Sequence, residues 1–209
     1  MVTPVKNIIF DLGGVLLNLN YQLTRKAFEN LGVANFNDLY TQHHANPLFE
    51  QLEVGAIEPD EFYNQLRKAT GLTLSNAQLE TAWNAMLLDF PTDRLQWLDQ
   101  IKNKYNIYLF SNTNAIHYKA FTSIYARTAP LIGLNTDFNH FFKEAHYSHT
   151  LGQRKPEVAA FEAVLAKSGL DAAQTLFIDD TISNIEGAQK AGLQTIFLSG
   201  GLTVQDVGL

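Results

Sequence analysis

Residues 7–18 read NIIFDLGGVLLN. An apolar run is closed by a single carboxylate, Asp11, and Leu12, Gly13 and Gly14 follow before the chain turns apolar again. A run that is apolar throughout, instead of alternating, suits a strand buried on both faces, as in a parallel sheet covered by helices. The carboxylate at its end has two readings. It can be a turn residue capping the next segment, which is the commoner fate of an Asp beside glycines. It can also be a nucleophile or metal ligand, with glycines that let a phosphate or a metal approach the backbone.

Outward from that stretch, similar apolar runs recur at 107–110, 144–147, 175–178 and 195–198, with 144–147 the least regular. Helical spacing fills the intervals at 93–104, 115–125, 156–168 and 182–191. Pro156 suits a first helical position, and Gly169 and Gly192 suit C-terminal caps. Strand alternating with helix makes this an α/β chain, a parallel sheet wound by right-handed crossovers. After the first strand the spacing breaks, because about 90 residues intervene where a crossover needs one helix. Within them, apolar residues three and four apart at 23–31, 37–42, 46–54, 59–70 and 75–88 mark a helical insertion. The expected division is a core of residues 1–16 and 91–209 with a helical cap of residues 17–90. The final stretch, GGLTVQDVGL, is expected to be peripheral.

Composition narrows the function. Of the 209 residues, 46% are hydrophobic and 17% charged, a globular balance. Lys+Arg 15 against Asp+Glu 21 gives a net charge of -6 and no basic footprint, so neither nucleic acid nor an anionic membrane is an expected partner. Without cysteine there is no disulfide, thiolate metal site or catalytic thiol. The opening residues lack the apolar stretch of a secretory signal, and no run approaches the roughly 18 apolar residues of a membrane span. A soluble, cytoplasmic protein is expected.

In open α/β sheets, ligands bind beyond the carboxyl ends of strands, so the residues following each run matter most. Ser111 and Asn112 follow the second run in LFSNTN; they can cap a helix, and the same hydroxyl, amide and N–H groups can hold an anion. Lys155, in GQRKPE, precedes a helix whose dipole repels it, which makes better sense with an anion between them. Its neighbour Arg154 reads as solvated surface. Asp179 and Asp180 end the fourth run in FIDD, with Asn184 close behind, and two adjacent carboxylates there repel each other unless a cation offsets them. A hard, oxygen-seeking ion such as Mg²⁺ explains the pair. A carboxylate, a hydroxyl, a lysine and an acidic pair on one sheet edge form the set that phosphoryl transfer requires.

FDLGGVL, LFSNTN, RKPE and FIDDTISNIEGAQKAG resemble, in order, the four motifs of the haloacid dehalogenase superfamily. The likeness extends over essentially the whole chain. Within the superfamily it is nearest to the group holding the bacterial α-glucose-1-phosphate phosphatase and the N-terminal phosphatase domain of soluble epoxide hydrolase. The resemblance implies a Rossmann-like core, a helical cap closing over the site, and Mg²⁺-dependent hydrolysis of a small phosphorylated metabolite, a sugar phosphate, through an aspartyl-phosphate. Carried over, Asp11 is the nucleophile and a metal ligand, with the Gly13 carbonyl a second ligand. Asp180 binds the metal directly and Asp179 holds metal-bound water. Ser111 and Asn112 hold phosphoryl oxygens, and Lys155 neutralises both the phosphate and Asp11. One departure stands out: the general acid that most phosphatases of this superfamily carry two residues after the nucleophile is here Gly13.

Two other readings compete. A metal-independent hydrolytic dehalogenase also lacks the acid, but such enzymes do not carry the FIDD pair. A pseudo-phosphatase acting as an interaction module has no need of Asp11, Ser111, Lys155 and Asp180 together. Substrate choice is expected in the cap, around Phe49, Glu50 and Glu53. His43 and His44 read as exposed cap residues. His140, His146 and His149 lack metal-ligand spacing, and Trp83 and Trp97 read as packing.

Overall fold

The computed structural model describes residues 4–34, 36–41 and 44–209. In chain order, β1 (Asn7–Phe10), α1 (Tyr21–Asn30), β2 (Tyr40–Thr41), β3 (His44–Ala45), α2 (Pro47–Glu53), α3 (Pro59–Thr70) and α4 (Asn76–Asn84) form the first part. There follow α5 (Thr92–Ile101), β4 (Asn106–Ser111), α6 (Ala115–Thr128), β5 (Glu144–Tyr147), α7 (Ser148–Leu151), α8 (Val158–Ser168), β6 (Thr175–Asp179), α9 (Ile182–Lys190) and β7 (Gln194–Phe197). Strands β5-β4-β1-β6-β7 make one parallel sheet in that order, so β1 lies at its centre and the chain winds outward both ways.

The continuous apolar runs are explained by burial on both faces. Ile8 and Phe10 join Leu109, Ile178 and the α5 and α6 side chains in one cluster, while Ile9 points the other way into Phe110, Phe161 and Phe177. Trp97 meets Phe10 edge on, with ring centroids 5.9 Å apart. The weakly patterned run at 144–147 is strand β5, at the sheet edge. Gly169 caps α8 in the left-handed conformation, and Gly192, one residue past the α9 cap, has φ 87°.

Residues between Phe28 and Met86 bury a cluster of their own, built on Phe28, Phe36, Phe49, Phe62 and Trp83, into which Ile116 of α6 also reaches. The chain enters and leaves this region side by side. Asn18 N–H donates to the Asp89 carbonyl at 2.9 Å, Leu88 N–H to Asn18 at 3.0 Å, and Asn20 N–H to Met86 at 2.9 Å.

Several expectations are corrected. The helix expected at 37–42 is a short 3₁₀ turn at Phe36–Asp38 followed by β2; Gln42 and His43 fall outside the described residues. Phe36 stacks on Phe28 at 4.3 Å and Tyr40 meets Trp83 edge on at 4.6 Å, so aromatic packing sets this segment. The helix expected to run to 88 ends at Asn84, because other elements take its last groups: Thr24 Oγ and His117 Nε2 donate to the Trp83 carbonyl, and Met86 N–H donates to Thr24. Pro156 stands outside α8, since the preceding residue's carbonyl is already taken by the Asn112 side chain. The tail is not peripheral, for Val204 is fully buried in the first cluster.

Candidate active site

The pairing of Phe10 with both Leu109 and Ile178 brings the ends of β1, β4 and β6 to one edge of the sheet. Asp11, Ser111 and Asp179 stand there, and Lys155 arrives from the loop between α7 and α8. Lys155 is buried, and its Nζ donates to Asp11 Oδ1 at 2.7 Å and to Asp179 Oδ2 at 2.8 Å. Its ammonium also lies 5.4 Å from the Phe110 ring centroid and 5.2 Å from that of Phe177. Burial alone would pull Lys155 down, but Asp11 and Asp179 hold it above the usual lysine value.

The carboxylates are held unequally. Asp179 is fully buried, and its Oδ1 accepts from Thr181 N–H at 2.8 Å while Asn184 Nδ2 donates to both oxygens, at 3.1 and 3.0 Å. It is the anchor of Lys155. Asp180 turns toward the β1 loop: a Cβ on Gly14 would stand 2.1 Å from its Oδ2, and Gly14 has φ 77°. Gly14 is therefore a glycine for two reasons, its backbone conformation and the carboxylate beside it. Burial pushes Asp11 up to about 7, opposed by Lys155 and reinforced by Asp179 and Asp180. Burial, then Asp179, pushes Asp180 up to about 6.

Asp11, Asp179 and Asp180 each offer an oxygen, all within 4.8 Å of one another. With Lys155 the formal charge sum is three negatives against one positive, an excess that a bound cation would offset. An all-carboxylate set of this charge fits a hard divalent ion such as Mg²⁺.

The Asn112 side chain is spent within the protein. It grips the backbone of Lys155, accepting from Lys155 N–H at 2.9 Å and donating to Lys155 O at 2.8 Å. The clamp occupies the amide and leaves the Asn112 backbone N–H for a ligand. Ser111 is buried and its hydroxyl reaches the Asn112 carbonyl at 3.4 Å, a long contact easily exchanged for a better acceptor. The helix cap in this motif is Asn114, which accepts from Ile116 and His117 N–H.

Above these groups opens a cavity of about 400 Å³. Its floor includes Asp11, Lys155 and Asp180, and its far wall includes Tyr21, Tyr40, Glu50 and Glu53. Arg154, expected as solvated surface, instead joins the two halves: its Nε lies 2.9 Å from Glu53 Oε2 and its Nη1 3.0 Å from Glu50 Oε1. Tyr40 donates to Glu53 Oε1 at 3.4 Å. Burial pushes Glu53 up, with Arg154 pulling against it. Beside this contact Gly55, with φ 66°, lies so close to the His149 carbonyl that a Cβ would stand 2.1 Å from it. Of the residues expected to govern substrate choice, Glu50 and Glu53 line the cavity, whereas Phe49 is buried in the aromatic cluster. Sequence reading missed Tyr21 and Tyr40; their aromatic, polar-tipped side chains just inside the insertion were the available signal. His146 meets Ser168 at 2.7 Å and His140 meets Lys102 at 3.0 Å, away from the site.

The sheet, the four strand-end groups and the buried lysine bridge together define a hydrolase of the haloacid dehalogenase-like type, and the chain belongs to that family, whose model matches residues 5–192. D-ribitol-5-phosphate phosphatase of Bacteroides thetaiotaomicron is 29% identical over 91% of this chain and 90% of its own length. A sesquiterpene phosphatase of Aspergillus oryzae is 28% identical over 97% of this chain and 94% of its own. Among solved structures, an Asp-to-Ala variant of a HAD family enzyme from B. thetaiotaomicron, in complex with magnesium and inorganic phosphate, superposes with a TM-score of 0.87. It is 34% identical and covers 95% of this chain and 96% of that one. Among the described residues no helix is long and apolar enough to cross a membrane.

Proposed function

We propose that this hydrolase is a Mg²⁺-dependent phosphatase acting on a small phosphate monoester, a sugar phosphate, through an aspartyl-phosphate on Asp11. The observation that carries the reading is Lys155 Nζ held between Asp11 and Asp179, since it orients the carboxylate and places a cation where phosphoryl charge arrives. Asp11 attacks phosphorus and the ester P–O bond breaks, releasing the alcohol, which takes up a proton. Water then hydrolyses the aspartyl-phosphate, returning the carboxylate and inorganic phosphate. Ser111 Oγ and the Asn112 N–H bind phosphoryl oxygens, and Lys155 balances the charge. Asp11, Asp180 and the Gly13 carbonyl would hold Mg²⁺, with Asp179 beside them; the ion supplies charge neutralisation on the phosphoryl group.

Residues 17–90 serve as a cap. The separate aromatic cluster and the paired crossing at Asn18 and Asp89 support this division from a core of residues 1–16 and 91–209. The named phosphatases among the relatives favour phosphate ester hydrolysis, and D-ribitol 5-phosphate and α-glucose 1-phosphate are the first esters to try. The test is phosphate release from a panel of sugar and polyol phosphates with Mg²⁺, beside EDTA-treated enzyme and Asp11→Asn. Release abolished by EDTA and by the substitution is expected. Turnover surviving in Asp11→Asn would sink the covalent route, and turnover surviving EDTA would sink the metal requirement.

A further inference from the structure

Building on the phosphatase reading, we infer that the cavity selects esters whose alcohol half is uncharged and hydroxylated and rejects those carrying a second anion, with Arg154 and Glu50 setting the choice. With the phosphoryl group at Asp11 and Lys155, the alcohol half must lie against Tyr21, Tyr40, Glu50, Glu53 and Arg154. Among the described residues lining the cavity, the cations are Lys155 and Arg154, and each is committed to two carboxylates. Lys155 bridges Asp11 and Asp179 at 2.7 and 2.8 Å. Arg154 bridges Glu53 and Glu50 at 2.9 and 3.0 Å.

A carboxylate or second phosphate on the alcohol half would meet acidic oxygens with no unpaired cation to receive it. Bringing an unpaired charge into a partly desolvated pocket is costly, and is one of the ways a site rejects a ligand. Hydroxyl groups face no such cost, because Glu50 can accept from them and the tyrosine hydroxyls can donate or accept. Arg154 stays paired whatever the protonation of Glu53: with Glu53 neutral, Glu50 still holds the guanidinium, and Glu53 becomes one more hydroxyl-reading group. The cavity, about 400 Å³, is of small-molecule size.

The experiment compares 2-hydroxyethyl phosphate with phosphoglycolate, which replaces its terminal CH₂OH with a carboxylate, in Mg²⁺-supplemented phosphate-release assays. The expected result is a kcat/KM about 100-fold lower for phosphoglycolate, carried mainly by KM. In Glu50→Lys, at a half-exposed position that does not threaten folding, that ratio should narrow by about tenfold or more, and in Glu50→Gln by less. Equal kcat/KM for the two esters in the natural protein, or a ratio unmoved in Glu50→Lys, overturns the inference while leaving the phosphatase reading intact. Absence of release from any ester of either kind overturns the phosphatase reading and the inference with it, an outcome distinct from release without discrimination.

Discussion

Gly13 sits two residues beyond Asp11, the proposed nucleophile, with no side chain to donate a proton. A Cβ there would stand 2.5 Å from Leu19 Cδ1, so the loop after β1 has folded its own apolar side chain into the space an acid would occupy. Leu19 Cδ1 is the end of a flexible chain and can move. Gly13→Asp, combined with Leu19→Ala to make room, should raise turnover of alkyl phosphates by about tenfold or more relative to p-nitrophenyl phosphate, because a positioned acid matters most for poor leaving groups. Equal gains on both esters would count against a missing-acid account. His117 offers a second residue-scale prediction. Burial lowers it to about 4, against a carbonyl hydrogen bond from Trp83 that pulls the other way, and its ring stacks on Trp83 at 4.5 Å. Between pH 6.5 and about 4 the unfolded chain binds a proton there and the folded chain does not, so stability falls as pH falls through that window. The contribution lost is up to about 3 kcal/mol at the acid end. Denaturant midpoints of the natural protein and His117→Asn should therefore converge as the pH drops from 6.5 to 4; parallel curves would refute the assignment.

At the scale of elements, the contact between α2 and α7 positions the lysine loop against the far wall of the cavity. Gly55→Ala combines a left-handed backbone with a clash on the His149 carbonyl, whereas Gly152→Ala, with φ 76°, meets nothing within 4 Å. The second should cost about 1 kcal/mol from backbone strain alone, and the first distinctly more, with a loss of kcat/KM that the second lacks. Thermal melts paired with kinetics of both variants decide it. The gathering of Asp11, Lys155 and Asp180 was legible from sequence because each stands after an apolar run or shortly before a helix, and the parallel sheet brings such positions to one edge. The side-chain partners of Asn112 and Arg154 were not legible, for one shared reason. Each side chain is spent on a partner far along the chain, Asn112 on the Lys155 backbone and Arg154 on α2, and periodicity carries no information about such pairs. The segment after α1 was misread because aromatic packing, not helical spacing, shapes it.

For the whole molecule, the parallel sheet with its helices was legible from the alternation of apolar runs and helical spacing, and the insertion from the interval between the first two runs; the order β5-β4-β1-β6-β7 was not, because spacing along the chain does not say which strands pair. How the inserted region faces the sheet was not legible, since it depends on Arg154, Gly55 and the Trp83–His117 stack, which join residues from both. A ligand that closes this arrangement should stabilise it by mass action: saturating Mg²⁺ with inorganic phosphate at about 100 times its Kd should add about 2.7 kcal/mol. An unchanged melting temperature under those conditions would speak against the site as described. The backbone hydrogen bonds between Asn18 and Asp89, at 2.9 Å, and between Leu88 and Asn18, at 3.0 Å, mean that the two ends of the insertion are already neighbours. Anything spliced between them, a shorter loop or the corresponding region of a relative, begins and ends at one fixed doorway in the sheet. Under the proposed division into core and cap, the fold is thereby a socket with an exchangeable cartridge, in which the taste for one alcohol or another could be traded without rewiring the phosphate chemistry beneath.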